Sequence, residues 1–247
     1  MDNSRKKILG VPIDAYQPQE FIEKIKHGLQ DHKVKTIFAV NAEKIMFARK
    51  DPKMFNILQD SDFLLPDGFG PVVGLKLIYG KKIERTTGVG LMFKFLEIAE
   101  KDKAKVFIYG AKPEVLEIAK KNIRKKHPSL DLVGSEHGYI SEKEYFKFIK
   151  QINVSGADIL FVALGSPKQE IWIHKYKKLL KVKYCIGVGG SIDVLAGQAQ
   201  LAPTWISKMY LEWIYRLLKD PSRLKRQKTI PIFIVKMLME AVKARLN

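Results

Sequence analysis

The sequence predicts an α/β fold, a mainly parallel sheet with helices on both faces, extended by a C-terminal helical appendage. Two observations carry that prediction. Short apolar runs of strand length alternate with longer stretches of helical period from Lys35 to Ile186. The alternation then stops near Gly197, and the rest of the chain is basic, aromatic and helical in pattern. The chain is therefore expected to divide into an α/β core, residues 1–197, and a basic amphipathic appendage, residues 198–247.

Lys35 to Val40 reads as a buried strand, and the helix after it runs through Ala42 to Arg49. Phe63 to Leu65 is a short strand ending at Pro66, Asp67 and Gly68. A helix with Leu91, Phe95 and Ile98 on one face leads to a strand from Lys105 to Tyr109. Pro113 suits the first turn of the next helix, because its missing N–H would have no helical partner there. Leu130 to Val133 is a strand, and Ser141 with Glu144 matches a capping box opening a helix. Asp158 to Ala163 and Val182 to Ile186 complete the strands.

In the appendage, Lys208, Glu212, Arg216 and Lys219 share one narrow helical face, while Ile206, Met209, Tyr210, Trp213, Ile214 and Leu217 cover the rest. After Pro221 and a basic cluster, the stretch from Pro231 to Lys243 repeats the pattern, with Lys236, Glu240 and Lys243 as a thin charged stripe. A helix that apolar must be buried against the core, a partner or lipid. Tryptophan with lysine and arginine at a helix border favours a lipid surface.

Composition narrows the classes. The 247 residues fit one large domain, or a domain plus an appendage. Forty-four Lys and Arg against 26 Asp and Glu give a net charge of +18, which calls for an anionic partner: nucleic acid, anionic lipid or a phosphorylated substrate. The single cysteine, Cys185, excludes an internal disulfide and lies in an apolar run as core. The basic amino terminus lacks the apolar segment of a signal peptide, and no uncharged apolar run approaches the ~20 residues that span a bilayer. Any meeting with a membrane is expected from the cytoplasmic side.

In parallel sheets, ligands bind beyond the carboxyl ends of the strands. Four chemically unusual segments fall there: Asn41–Glu43, Pro66–Gly68, Leu164–Glu170 and Gly187–Asp193. Gly187, Gly189 and Gly190 come after a strand and suit close backbone approach to a phosphate or nucleoside, or simply a turn. They do not form a dinucleotide fingerprint, because Ile192 occupies the third glycine position; after Gly88 and Gly90, Phe93 fails the same test. Asp67, held between Pro66 and Gly68, reads as a general base or as a turn-making residue. Arg85 reads as an anion clamp or a partner of Glu84, and Gln169 as a reader of a sugar hydroxyl or a helix start. Asp60 and Asp62 fit a metal-holding DxD but sit away from these strand ends, and the five histidines show no metal spacing.

Together these segments, with Glu84, Arg85, Gly88 and the stretch Leu211–Arg223, resemble the WecG/TagA/CpsF family of bacterial glycosyltransferases, in family order over nearly the whole chain. The resemblance implies a Rossmann-like core and an inverting, metal-independent transfer that uses no cofactor. The sugar moves from a UDP-sugar donor, with N-acetylmannosamine favoured, to an undecaprenyl-diphosphate-linked N-acetylglucosamine acceptor on the inner membrane face. It makes Asp67 the catalytic base. Asn41, Arg85 and Gln169 line the sugar and diphosphate site, Asp193 lies near the nucleoside, and Arg216, Arg223 and Arg226 close over the diphosphate. The chain departs from the family pattern at Ala39, Gly90 and Leu201, which leaves uronic-acid and hexose donors open.

The implied partners are the donor, the lipid-diphosphate acceptor and an anionic membrane surface, with the apolar tail also offering a surface for homo-oligomers. A nucleic-acid-binding protein is the competing class, resting on charge alone; the broad apolar faces of the tail oppose it, and no nucleic-acid motif occurs. An NAD-dependent oxidoreductase is disfavoured by the two failed glycine fingerprints.

Overall fold

The computed structural model describes residues 4–30, 33–200, 202–203, 206, 214–215, 217 and 228–246. An amino-terminal hairpin of β1 (Arg5–Ile8) and β2 (Val11–Asp14) precedes the sheet. Its turn needs two positive φ angles, 51° at Leu9 and 83° at Gly10. Sequence patterning did not disclose this hairpin, because four-residue strands give too short an alternation. It is latched to the sheet by charge: Arg5 grips the buried Asp14 through Nε at 2.7 Å and Nη2 at 2.9 Å, and Asp14 also accepts the Leu64 N–H at 2.7 Å.

The sheet holds β3 (Lys35–Val40), β4 (Phe63–Pro66), β5 (Val106–Gly110), β6 (Leu132–Glu136), β7 (Ile159–Ala163) and β8 (Tyr184–Gly187). All pairings are parallel, in the order β4-β3-β8-β7-β5-β6. The side-chain period of two splits each strand between two cores. Phe38, Val40, Phe107, Tyr109, Leu160, Val162 and Cys185 enter one cluster; Ile37, Val106, Ile108, Ile159, Phe161, Tyr184 and Ile186 enter the other. The first is covered by α2 (Ala42–Ala48), α3 (Pro52–Gln59), α4 (Phe69–Tyr79), α7 (Tyr145–Val154) and α8 (Lys168–Tyr176). The second is covered by α1 (Pro18–Gly28), α5 (Gly88–Lys101), α6 (Pro113–Lys126) and α9 (Ser191–Leu195). The expected fold class is thus what forms.

Local signals explain several boundaries. Asn41, Asp51 and Thr87 cap α2, α3 and α5 by accepting the N–H of Lys44, Met54 and Gly90. The capping box of Ser141 and Glu144 is present, but it opens a 3-10 turn, Glu142–Glu144, that leads into α7. Asp62 accepts both the N–H and the hydroxyl of Thr36 at 2.9 Å, so this half of the Asp60/Asp62 pair serves sheet structure.

The final helix, α10 (Thr229–Leu246), lies against α4 and α2. Phe233, Met237 and Ala241, spaced by four, are buried, and Phe233 and Met237 join the first core. Two glycines of α4 make room for them. A Cβ at Gly70 would stand 2.6 Å from the Phe233 ring, and one at Gly74 would stand 3.3 Å from the Met237 sulfur. Glu240, from the thin charged stripe, accepts the Leu9 N–H of the hairpin turn at 2.8 Å. The other side of α10 leaves Ile232, Val235, Leu238, Met239, Val242 and Leu246 exposed. Of the preceding stretch, Ile206, Ile214, Tyr215 and Leu217 are helical; Trp205, Trp213, Arg216, Arg223 and Arg226 lie outside the described residues.

Because Phe233 is fully buried beneath α4, Phe233→Ala is expected to cost about 3–5 kcal/mol, measured as unfolding free energy in a urea titration of the full chain. A loss under about 1 kcal/mol would mean that α10 does not pack there in solution.

Candidate active site

Four strand ends meet at one edge of the sheet. β3 and β7 lead to α2 and α8 on one face, while β8, which lies between them, leads to α9 on the other. Opposite departures of neighbouring strands leave a crevice, the place where ligands bind in open α/β sheets. The sequence-predicted residues fall around it. Asn41 comes directly after β3 and Asp67 directly after β4, and the Asp67 N–H donates to Val40 O at 2.8 Å, which sets the two residues side by side. Asp67 is half-buried. Gly68 is next, with φ 78°, a positive angle that glycine adopts without a Cβ clash as the chain enters α4.

Gln169 opens α8 after a turn with Gly165 at φ 74° and a cis Ser166–Pro167 bond. Its side chain is buried and fully directed: Oε1 accepts the Gly189 N–H at 2.9 Å, and Nε2 donates to Glu170 Oε1 at 3.1 Å. This explains Gly187, where a Cβ would sit 2.7 Å from Gln169 Nε2 and 2.9 Å from Phe38 Cδ1. Gly187 is buried, so its glycine serves this packing; Gly189, at φ 49°, and exposed Gly190 form the open part of the turn. Asp193, half-buried in the first turn of α9, brings a carboxylate oxygen within 3.5 Å of where a Cβ of Gly190 would be.

Arg85 is half-buried, three residues before α5. The start of that helix borders the crevice, since a Cβ at Gly88 would lie 3.8 Å from Ala39 Cβ and 3.9 Å from Ser191 Oγ. The structure therefore gathers Asn41, Asp67, Gln169, Gly189, Gly190 and Asp193 at one edge, with Arg85 leading into its border. Arg216, Arg223 and Arg226 lie outside the described residues.

Two residues that patterning gave no role stand beneath the crevice. Lys44 Nζ donates to Glu170 Oε1 at 2.6 Å and to Ala39 O at 2.7 Å, and both side chains are nearly or fully buried. The signal in the sequence was slight: a lysine three residues after Asn41 and a glutamate next to Gln169, 126 positions apart. Cys185 is fully buried and burial pushes its thiol up, so it stays protonated as core. Among the described residues no group of three metal-ligating side chains converges.

Chemically, the edge offers a carboxylate beside a side-chain amide, a backbone turn and a second carboxylate. That set suits a polyhydroxylated ligand. Over residues 6–247 the sequence matches the family model described as Glycosyl transferase WecG/TagA/CpsF family. It is 36% identical over 234 residues to the N-acetylglucosaminyldiphosphoundecaprenol N-acetyl-beta-D-mannosaminyltransferase of Bacillus subtilis (strain 168), covering 94% of this chain and 91% of that one. Proteins of the same name are similar in Bacillus spizizenii, at 36% over 211 residues (85% and 81% covered), and in Staphylococcus aureus (strain MW2), at 32% over 237 residues (95% and 92% covered).

The Gly187 contact is directly testable. Gly187→Ala forces Gln169 or Phe38 to move and is expected to cost about 1–3 kcal/mol, read by chemical denaturation. Unchanged stability would show that the Gln169 side chain is not seated as described.

Proposed function

We propose, from the premise that the chain belongs to the glycosyl transferase WecG/TagA/CpsF family, that it transfers N-acetylmannosamine from a UDP-sugar to undecaprenyl-diphosphate-linked N-acetylglucosamine. The names of its relatives support this acceptor and this sugar. The observation that carries the mechanism is the placement of Asp67. It sits half-buried at the end of β4, bonded through its backbone to Val40 and beside Asn41.

In the proposed reaction, Asp67 takes the proton from the acceptor sugar hydroxyl. The oxygen attacks the anomeric carbon from the side opposite the diphosphate, the bond to UDP breaks, and configuration inverts. Negative charge grows on the leaving diphosphate and needs fixed cations. Arg85, with Arg216, Arg223 and Arg226 of the appendage, fills that need without a metal, because a guanidinium gives paired charge-assisted hydrogen bonds to phosphate. Asn41 and Gln169 orient the sugar, and the Gly189–Gly190 turn with Asp193 receives the nucleoside.

A lipid-linked acceptor calls for a surface that meets the bilayer. Among the described residues no helix is long and apolar enough to cross a membrane. The exposed apolar side of α10 and the net charge of +18 support docking on the inner face of the plasma membrane through residues 198–247. Basic residues near an anionic surface contribute about 1 kcal/mol each.

Asp67→Asn is expected to lower kcat by about 10²–10⁴-fold, the usual worth of a general base, in an assay with UDP-N-acetylmannosamine and a lipid-diphosphate acceptor. EDTA should leave wild-type turnover intact. Near-normal turnover by the variant refutes the assignment of the base. For the docking surface, Val235→Glu with Met239→Glu, both on the exposed side of α10, should reduce sedimentation with phosphatidylglycerol vesicles. Undiminished sedimentation would remove α10 from that role.

A further inference from the structure

We infer that Lys44 and Glu170 are positioning residues: their buried ion pair fixes which way the Gln169 amide faces and ties that amide to the Asn41 turn. Each neighbour of the amide can play only one hydrogen-bonding role. Ionised Glu170 only accepts hydrogen bonds, and its Oε1 faces Gln169 Nε2 at 3.1 Å. The Gly189 backbone N–H only donates, and it faces Gln169 Oε1 at 2.9 Å. An amide between an acceptor and a donor has one favourable orientation. The flipped amide would set oxygen against carboxylate and NH₂ against N–H, two repulsive contacts in a site where Gln169 is 3% exposed.

Lys44 makes the acceptor side dependable. Its Nζ binds the same Glu170 oxygen at 2.6 Å and stabilises the carboxylate at zero exposure. Lys44 also reaches the other strand end. Its Nζ donates to Ala39 O at 2.7 Å, and its backbone N–H donates to Asn41 Oδ1 at 2.9 Å. One residue thus couples the turn after β3 to the turns after β7 and β8. Neither Lys44 nor Glu170 need touch substrate. Their effect reaches it through Gln169, whose second amide hydrogen has no hydrogen-bond partner among the described residues after Glu170 takes the first. The kinetic consequence rests on the proposed transferase activity; the geometric one does not.

The test uses the full-length chain and Lys44→Met/Glu170→Leu, which removes both charges together and leaves an apolar pair of similar volume. Such replacements commonly keep stability, whereas single truncations leave one buried charge alone. The expected result is a thermal midpoint near wild type. Exchange of the Gly189 amide should be at least tenfold faster, the Gln169 side-chain NH₂ resonances displaced, and donor kcat/KM lowered at least tenfold. A merely structural pair would return activity along with stability, with Gly189 exchange and Gln169 resonances as in wild type, and that result overturns the inference. Glu170→Gln, nearly isosteric, is the second variant. Its amide offers Gln169 either an oxygen or an NH₂, so Gly189 exchange should still rise at least threefold. Wild-type exchange in whichever variant folds also overturns it. If the wild-type protein turns over no UDP-sugar, the transferase reading fails, while the exchange and resonance data still decide the positioning role.

Discussion

The Lys44 ammonium and the Glu170 carboxylate meet 2.6 Å apart, on side chains only 8% and 0% exposed. Placing two ions there is costly, and removing either partner alone typically costs about 3–5 kcal/mol. The fold accommodates the pair because β3 and β7 flank β8, so the helices after them, α2 and α8, begin on the same face and can join over the glycine turn of β8. Asn41, Gln169, Gly187 and Gly189 all take their geometry from this junction. Gly187 must lack a side chain because Gln169 occupies its space, and Gly189 supplies the N–H that completes the amide.

Around that junction, the sheet provides direction and the helices provide rigidity. Each strand contributes to both cores, so the edge carrying Asn41, Asp67 and the Gly187 turn is braced from two sides. Asp67 is the exception in one respect. It stands just past the strand, its backbone N–H bonded to Val40 O, and is followed by Gly68 at φ 78°. In the proposed reaction this half-buried carboxylate takes the proton of the incoming hydroxyl.

Much of this was legible in the residues. The apolar strand runs and their helical spacers gave the layered fold, because periods of two and 3.6 register in any sequence long enough to show them. The site segments stood out because polar and glycine residues came after apolar strands. What escaped had no local signature. The β1–β2 hairpin is too short to show alternation, and its anchor, Asp14 with Arg5, depends on Leu64 from a distant strand. Patterning marked α10 as apolar but for a thin charged stripe; that one side would pack on α4 depended on Gly70 and Gly74, 163 residues before Phe233 and Met237 respectively. The pairing of Lys44 with Glu170 is likewise a product of topology, not of spacing.

The chain's basic, aromatic end is accordingly two things at once. One side of α10 completes the core, and the other presents apolar side chains outward. The central claim is that this edge performs a metal-independent inverting transfer. The most direct measurement is the anomeric configuration, by NMR, of the product made from α-linked UDP-N-acetylmannosamine and a synthetic lipid-diphosphate N-acetylglucosamine in the presence of EDTA. A β-linked disaccharide formed at the uninhibited rate is the predicted result. An α-linked product, or transfer that requires added divalent metal, would contradict it.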